Sequence, residues 1–385
     1  MVRIQLLRPF LPEISTRSRI AAGTSGDLAA PAALIEGFGE RFETMSSAAP
    51  GSTVTRAPCT VALMSLVAIV TPVYEDEASF AELCRRLADL QHASGARFHL
   101  IAVDDGSLAA PPKLASITEA GLAGEILRLA RNVGHQAAIA VGLARANALA
   151  SVTACVVMDS DGEDTPESIP ALLAAVAGAN CDVAVAQRAK RSETLTFKLF
   201  YSVYKRLFRT LTGQRLRFGN FMALSPVAVE RLSGMHETAT HVAAATVKAK
   251  LRRASVPTDR GTRYAGQSKM NFPSLVLHGM RAVMVFSDLV LTRMALALVA
   301  MAGAVVAVVV IAVTMRFLGM TTPGWVTIVT GFALSLFLQT GLFTMITLIV
   351  SSLGRVDTPP RVRERALEYV ARTERTETAK RPVSA

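Results

Sequence analysis

Cysteine is scarce and scattered: Cys59, Cys84, Cys155 and Cys181 form no CxxC pair. That spacing excludes a disulfide framework and a thiolate zinc site, leaving small buried hydrophobes of a reducing compartment. Aromatic residues make up only 6% of the chain, with a single tryptophan, Trp325. No zinc-finger, RRM or comparable pattern accompanies the formal charge of +11. The basic balance therefore points to anionic lipid headgroups or anionic substrates, and away from nucleic acid. Residues 1–63 lack a continuous apolar core behind their first basic residues, which argues against a secretory signal. Rich in Ala, Ser, Thr, Gly and Pro, they read as a disordered extension, or as the product of an upstream start with Met45 or Met64 as the true one. A short helix over 31–42 and a transit peptide are the other readings of this stretch.

Charge is missing altogether from two long stretches, 295–315 and 317–354. Each offers the ~20 apolar residues needed to cross a hydrocarbon core of roughly 30 Å; the competing reading is a buried soluble hairpin. A turn at Thr321-Thr322-Pro323-Gly324 separates them. Arg281 and Arg293 precede the pair, and Arg355, Arg361, Arg363 and Arg365 follow it, while the connection holds only Arg316. The positive-inside rule puts both termini and the region upstream in the cytoplasm, as in a multi-pass inner-membrane protein. Residues 272–293 are amphipathic and sparsely charged, suited to the membrane interface. The expected division is an extension over 1–63, a globular domain over 64–270, a juxtamembrane helix over 271–294, two membrane helices over 295–354 and a basic cytoplasmic tail over 355–385.

Within the globular part, apolar β-branched runs predict strands over 66–70, 98–103, 126–130, 154–158 and 182–186, the first ended by Thr71-Pro72. Helical spacing predicts helices over 80–92, 136–149 and 168–177 between them, and a basic, aromatic helix over 195–212. Alternation of this kind indicates an α/β domain with a mostly parallel sheet, whose ligands bind beyond the carboxyl ends of the strands. Acidic clusters fall at those ends: Tyr74-Glu75-Asp76, Asp104-Asp105-Gly106-Ser107 and Asp159-Ser160-Asp161, with Glu163 and Asp164 just after. So much negative charge at one sheet edge is costly unless a cation or hydrogen bonds offset it. Asp159 and Asp161, one residue apart where a buried strand runs out, suit Mg²⁺ or Mn²⁺, hard cations that share their shell with phosphate oxygens.

Five segments in this order resemble glycosyltransferase family 2, in its polyprenyl-phosphate branch. They are Pro72-Val73-Tyr74-Glu75-Asp76 for the family's Pro-x-Tyr-Asn-Glu, Val103-Asp104-Asp105-Gly106-Ser107, Arg131-Asn132-Val133-Gly134-His135, Met158-Asp159-Ser160-Asp161 with Pro166-Glu167, and 263–269. The resemblance covers roughly 66–353. It implies a GT-A nucleotide-sugar-binding domain with a membrane hairpin behind it, a nucleotide-sugar donor, a polyprenyl phosphate acceptor and compatibility with a homotetramer. It implies that Pro72, Tyr74 and Asp76 line the nucleotide pocket with Asp104 and Asp105, one of which binds base or ribose. Asn132 and Gly134 lie against the nucleoside, and Asp159 and Asp161 hold metal and diphosphate. Glu163 stands where the family usually has a metal-binding Gln, as a ligand of higher charge or an altered preference. Asn220 stands where the family usually has Asp, which removes any charge-based role there.

An ionised lipid phosphate needs no strong general base as a nucleophile, but it does need cations to hold it near the sugar. Arg188 follows the fifth strand, and Lys198 and Ser202 stand four apart on one helix face. Arg263, Ser268 and Lys269 lie in the loop before the membrane. These are the candidate acceptor-phosphate residues. His135 adjoins the nucleotide segment, whereas His241 and His278 read as structural or interfacial. The expected reaction is inverting transfer of a sugar from nucleotide diphosphate to polyprenyl phosphate at the cytoplasmic membrane face. Two alternatives stand beside it. A processive polysaccharide synthase looks for a Gln-x-x-Arg-Trp segment, which a lone Trp325 does not supply. A catalytically inactive membrane-anchored scaffold draws on the departures at Glu163 and Asn220. The sugar and nucleotide, and undecaprenyl against dolichyl acceptor, are not legible.

Overall fold

The computed structural model describes residues 66–178, 180–188, 195–216, 218–266, 272–320, 322–353 and 362–377; the expectations for 1–63 lie outside them. Chain order is β1 (Val67–Val73), α1 (Glu77–Ser94), β2 (Phe98–Asp104), α2 (Leu114–Glu119), β3 (Ala123–Leu129), α3 (His135–Asn147), β4 (Ala154–Val157), α4 (Ile169–Ala177), β5 (Val183–Arg188) and α5 (Leu195–Thr212). Next come β6 (Met222–Leu224), α6 (Pro226–Ser233), α7 (Glu237–Thr240), α8 (Val242–Lys248), β7 (Arg253–Thr258), α9 (Phe272–Met284), α10 (Ser287–Phe317), α11 (Trp325–Leu353), α12 (Val362–Glu368) and β8 (Val370–Arg375).

The strands form one mixed sheet in the order β7-β5-β6-β4-β1-β2-β3-β8. β4, β1, β2 and β3 run parallel, as do β5 and β7; β6 and β8 are antiparallel to their neighbours. Alternation along each strand builds two cores. Val67, Ile69, Leu100, Ile126 and Val156 face α1, α2 and α4, while Ala68, Val70, Ile101, Leu127 and Val157 face α3, α6 and α8. β1 is buried along its whole length, and each such Val or Ile contributes roughly 1.5–3 kcal/mol by leaving water.

β1 extends past Thr71-Pro72 to Val73, farther than the sequence indicated. Proline is tolerated there because β4 pairs only with Val67–Val70. Beyond Val70 that side of β1 carries no ladder, so the missing N–H of Pro72 breaks nothing. The carbonyl of Pro72 instead faces Ser160 Oγ at 3.4 Å.

α10 and α11 pack side by side and are long and apolar enough to cross a membrane. At 1.5 Å per residue, the 31 residues of α10 reach about 46 Å. Their outward faces carry exposed Leu296, Val299, Ile328 and Phe332, an apolar surface that water does not tolerate. The expected amphipathic stretch over 271–294 is divided: α9 ends at Met284 and Ser287 already belongs to α10. Packing explains the break. Val285 and Phe286 are buried with Phe208, Ala244 and Val247, and Lys248 Nζ donates to the Val285 carbonyl at 3.0 Å while pairing with Glu237 at 2.9 Å.

The C-terminal part also departs from expectation. Instead of a basic tail throughout, 362–375 return to the globular domain as α12 and β8, with β8 antiparallel to β3. α12 inserts Ala366 and Leu367 against the core beneath α3 and α6, and Arg363 bonds Ser233 Oγ and the Glu230 carbonyl. Both ends of the apolar hairpin are therefore tied to one domain.

Candidate functional site

In the order β3-β2-β1-β4 the chain builds outward on one side of β1 and then crosses to the other. The carboxyl ends of β1, β2 and β4 therefore surround a crevice at a switch point. A cavity of about 220 Å³ lies beside it at the ends of β1, β2 and β3, lined by Pro72, Val73, Tyr74, Asp105, Asn132, Gly134 and His135. Gly106 makes this closeness possible: at φ +75° its absent Cβ would stand 2.7 Å from the Asn132 nitrogen.

The two neighbouring aspartates part company. Asp105 reaches the cavity and accepts from the backbone N–H of Val133 at 2.7 Å and of Gly134 at 3.0 Å. Burial pushes its pKa up, against those two N–H groups. Asp104 does not line the cavity; buried below, it accepts from Ser107 N at 3.0 Å and from Arg128 Nη1 at 2.9 Å. Asp76 also stays out of the cavity, capping α1 through the Ser79 N–H. Glu75 takes a positive φ of 48°, unusual for a residue that is neither Gly nor Asn. Its carboxylate accepts from the N–H groups of Leu108, Ala109 and Ala110, which ties β1's exit to the loop after β2.

The acidic loop after β4 is closed by the loop after β7. Gly261 N donates to the Glu163 carbonyl at 3.2 Å, and Tyr264 N to the Asp161 carbonyl at 2.9 Å. Gly162, at φ +90°, lies under the Tyr264 ring, where a Cβ would stand 2.7 Å from ring carbons. Arg263 Nη2 pairs with Asp161 Oδ2 at 2.7 Å, and Arg260 Nη2 with Glu163 Oε1 at 2.5 Å. His135 Nε2 lies 3.3 Å from Asp159 Oδ1 and 3.1 Å from Asn220 Nδ2. Enclosure of the His135 ring disfavours its charge, but the Asp159 carboxylate outweighs this and raises its pKa. Asp161 is raised too, by burial first, with the Asp159 charge adding to it.

Among the described residues no three His, Cys, Asp or Glu side chains are gathered closely enough to hold a metal by themselves. Two carboxylates one residue apart do fit Mg²⁺ or Mn²⁺, which take one or two protein oxygens and fill the rest of the shell with water and phosphate. Glu163 is paired with Arg260.

The acceptor candidates are only partly described. Arg188 ends β5, paired in register with Thr258, and Lys198 lies in α5; the side chains of both fall outside the described residues, as does the whole of Lys269. Ser202 is exposed on α5. Arg263 reaches Asp161. Sequence reasoning missed Arg260, Arg128 and the His135–Asn220 contact, because each depends on a loop or strand far along the chain and has no local pattern.

The sequence profile described as Glycosyl transferase family 2 matches residues 68–235. Undecaprenyl-phosphate 4-deoxy-4-formamido-L-arabinose transferases from Salmonella paratyphi B and Salmonella typhimurium are 27% identical over 243 residues, 62% of this chain and 71% of theirs. Among solved structures, glucosyl-3-phosphoglycerate synthase of Mycobacterium tuberculosis, bound to Mn²⁺, UDP-glucose and phosphoglyceric acid, superimposes with a TM-score of 0.43 at 14% identity, over 60% of this chain and 80% of that one. Mannosyl-3-phosphoglycerate synthase of Rubrobacter xylanophilus gives 0.41 at 11% identity, over 60% and 78%. Residues 68–235 thus form a glycosyl transferase family 2 domain, and the chain is a glycosyltransferase.

Proposed function

We propose that the chain transfers a sugar, with inversion, from a nucleotide diphosphate sugar to a polyprenyl phosphate at the cytoplasmic face of a membrane. The observation that carries this reading is the closure of 159–163 by the arginine loop 260–264, a few residues ahead of α9 and α10. Donor and lipid sites then share one edge of the sheet. The Salmonella relatives, named for an undecaprenyl phosphate substrate, support the acceptor class. Arginines flanking the hairpin, and the attachment of both its ends to one domain, support a cytoplasmic site.

In this reading Tyr74, Asp105, Asn132 and Gly134 hold the nucleoside, and Asp159 and Asp161 hold Mg²⁺ or Mn²⁺. A cation held there would supply positive charge against the departing diphosphate. Arg263 exchanges its Asp161 partner for an anionic phosphate, and Arg188, Lys198, Ser202 and Lys269 supply further donors to the acceptor headgroup. A phosphate oxygen attacks the anomeric carbon from the side opposite the nucleoside diphosphate, whose bond to the sugar breaks. The membrane helices hold the headgroup at a fixed height, which replaces a diffusional search.

Membranes containing the protein, supplied with polyprenyl phosphate and a panel of radiolabelled nucleotide sugars, should move label into the lipid fraction in a Mg²⁺- or Mn²⁺-dependent way. No transfer from any donor would favour the inactive scaffold, the reading to which the ion pairs on Asp161 and Glu163 lend support.

A further inference from the structure

We infer that β8, the strand after the membrane hairpin, is a positioning element of the nucleotide pocket, acting through Glu374 and Arg128 on Asp104; this rests on the donor-site reading above. Three adjacent strands place these groups on one sheet face. Asp104 of β2 is the register partner of Arg128 of β3, and Glu374 lies diagonally across from Arg128 on β8. Arg128 uses its whole fork. Nε and Nη2 reach the two oxygens of Glu374 at 2.8 and 3.1 Å, Nη1 reaches Asp104 at 2.9 Å, and Nη2 also donates to the Pro112 carbonyl at 3.0 Å. A bidentate pair of this kind fixes the plane of the guanidinium as well as its place.

Asp104 passes the constraint on. Its other oxygen accepts from Ser107 N, and Ser107 Oγ accepts from Glu75 N at 2.8 Å, next to the cavity residue Tyr74. Hydrogen bonds therefore run without a gap from a strand beyond the membrane helices to the pocket rim. A second brace lies alongside: Ala130 N donates to the Tyr369 carbonyl at 2.9 Å, and the Arg131 guanidinium lies 5.6 Å from the Tyr369 ring, just before cavity residue Asn132. Glu374 and Arg128 touch no cavity surface, so they act by holding other residues.

The test uses full-length protein in detergent, with UDP and GDP in the presence of Mg²⁺ as probes of binding. Glu374→Gln and Arg128→Met should each weaken binding by roughly 3- to 10-fold, and the double variant by no more than the larger single effect, as expected for groups acting in one relay. With the donor that supports transfer, KM should rise while turnover at saturation holds. Arg375→Gln is the control: it cuts the Glu125 pair on the same strand without touching the relay, and should leave nucleotide affinity unchanged. Unaltered affinity in Glu374→Gln, or an equal loss in Arg375→Gln, would overturn the inference, the latter because strand docking alone would then suffice. If the unmodified protein bound neither nucleotide, the donor-site reading itself would fail and the inference with it.

Discussion

Glu125→Gln removes a negative charge from a place water does not reach, while keeping the shape of the side chain. The Glu125 carboxylate is fully buried and accepts from Arg145 Nε at 2.7 Å and Arg375 Nε at 2.9 Å, with His99 Nε2 at 3.6 Å as an ion-pair neighbour. Burial pushes its pKa up, but His99, Arg145 and Arg375 outweigh that and bring it down to about 2. Set against an ordinary value of 4.5, the difference corresponds to ~3 kcal/mol favouring the charged, folded form. Arg375 is 44% exposed, so solvent screening limits its share to about 1 kcal/mol, and the rest belongs to His99 and Arg145. The folded-state value lies below the unfolded one. The stabilisation is therefore fully present above pH 4.5 and is lost as pH falls towards 2. Because Arg375 belongs to β8, the first structural consequence should be local. Hydrogen exchange at the amides of Val370–Arg375 should accelerate by roughly fivefold at neutral pH in Glu125→Gln, the factor that about 1 kcal/mol corresponds to. Exchange across β1 should change far less. Unchanged protection of β8 in the variant, or a variant effect as large at pH 2 as at pH 7, would refute the assignment.

Gly162→Ala should push the Tyr264 ring out of place at a local cost of ~1–3 kcal/mol, lowering turnover more than tenfold while the melting of the domain core stays unchanged; wild-type turnover would count against loop closure. Arg260→Ala releases Glu163, and Mn²⁺ binding followed by paramagnetic resonance should tighten several-fold; no tightening would mean that Glu163 never reaches the metal. Val299→Asp places a charge on the exposed apolar face of α10 and should reduce membrane insertion by ~3 kcal/mol, seen as protein released by alkaline extraction. Full retention in the membrane pellet would put that face in contact with something other than lipid.

The buried parallel strands were legible because runs such as Ala154–Val157 admit only apolar side chains on both faces. β8 was not. All six of its residues point partly or fully into water, four are polar, and its partner β3 lies some 245 residues upstream, so neither composition nor local period marks it. β6 is three residues long and antiparallel between β4 and β5, too short to show a period. At the site, Asp105, Asn132 and Gly134, to which only the family resemblance pointed, line the cavity. Asp104 faces the other way by strand alternation, and its partner Arg128 could not be foreseen without the β2–β3 register. The hairpin was legible from missing charge alone. Its tight joint to the domain was not, since Lys248 meets Glu237 and the Val285 carbonyl only through tertiary folding.

Asp159 and Asp161 carry the proposed chemistry, and lipid-linked sugar formed in membranes by Asp159→Asn and Asp161→Asn, with insertion checked in the same samples, tests it. Each variant should remain in the membrane and form no detectable product, because a neutral amide in place of either carboxylate would hold the cation poorly. Full activity in both variants would contradict it.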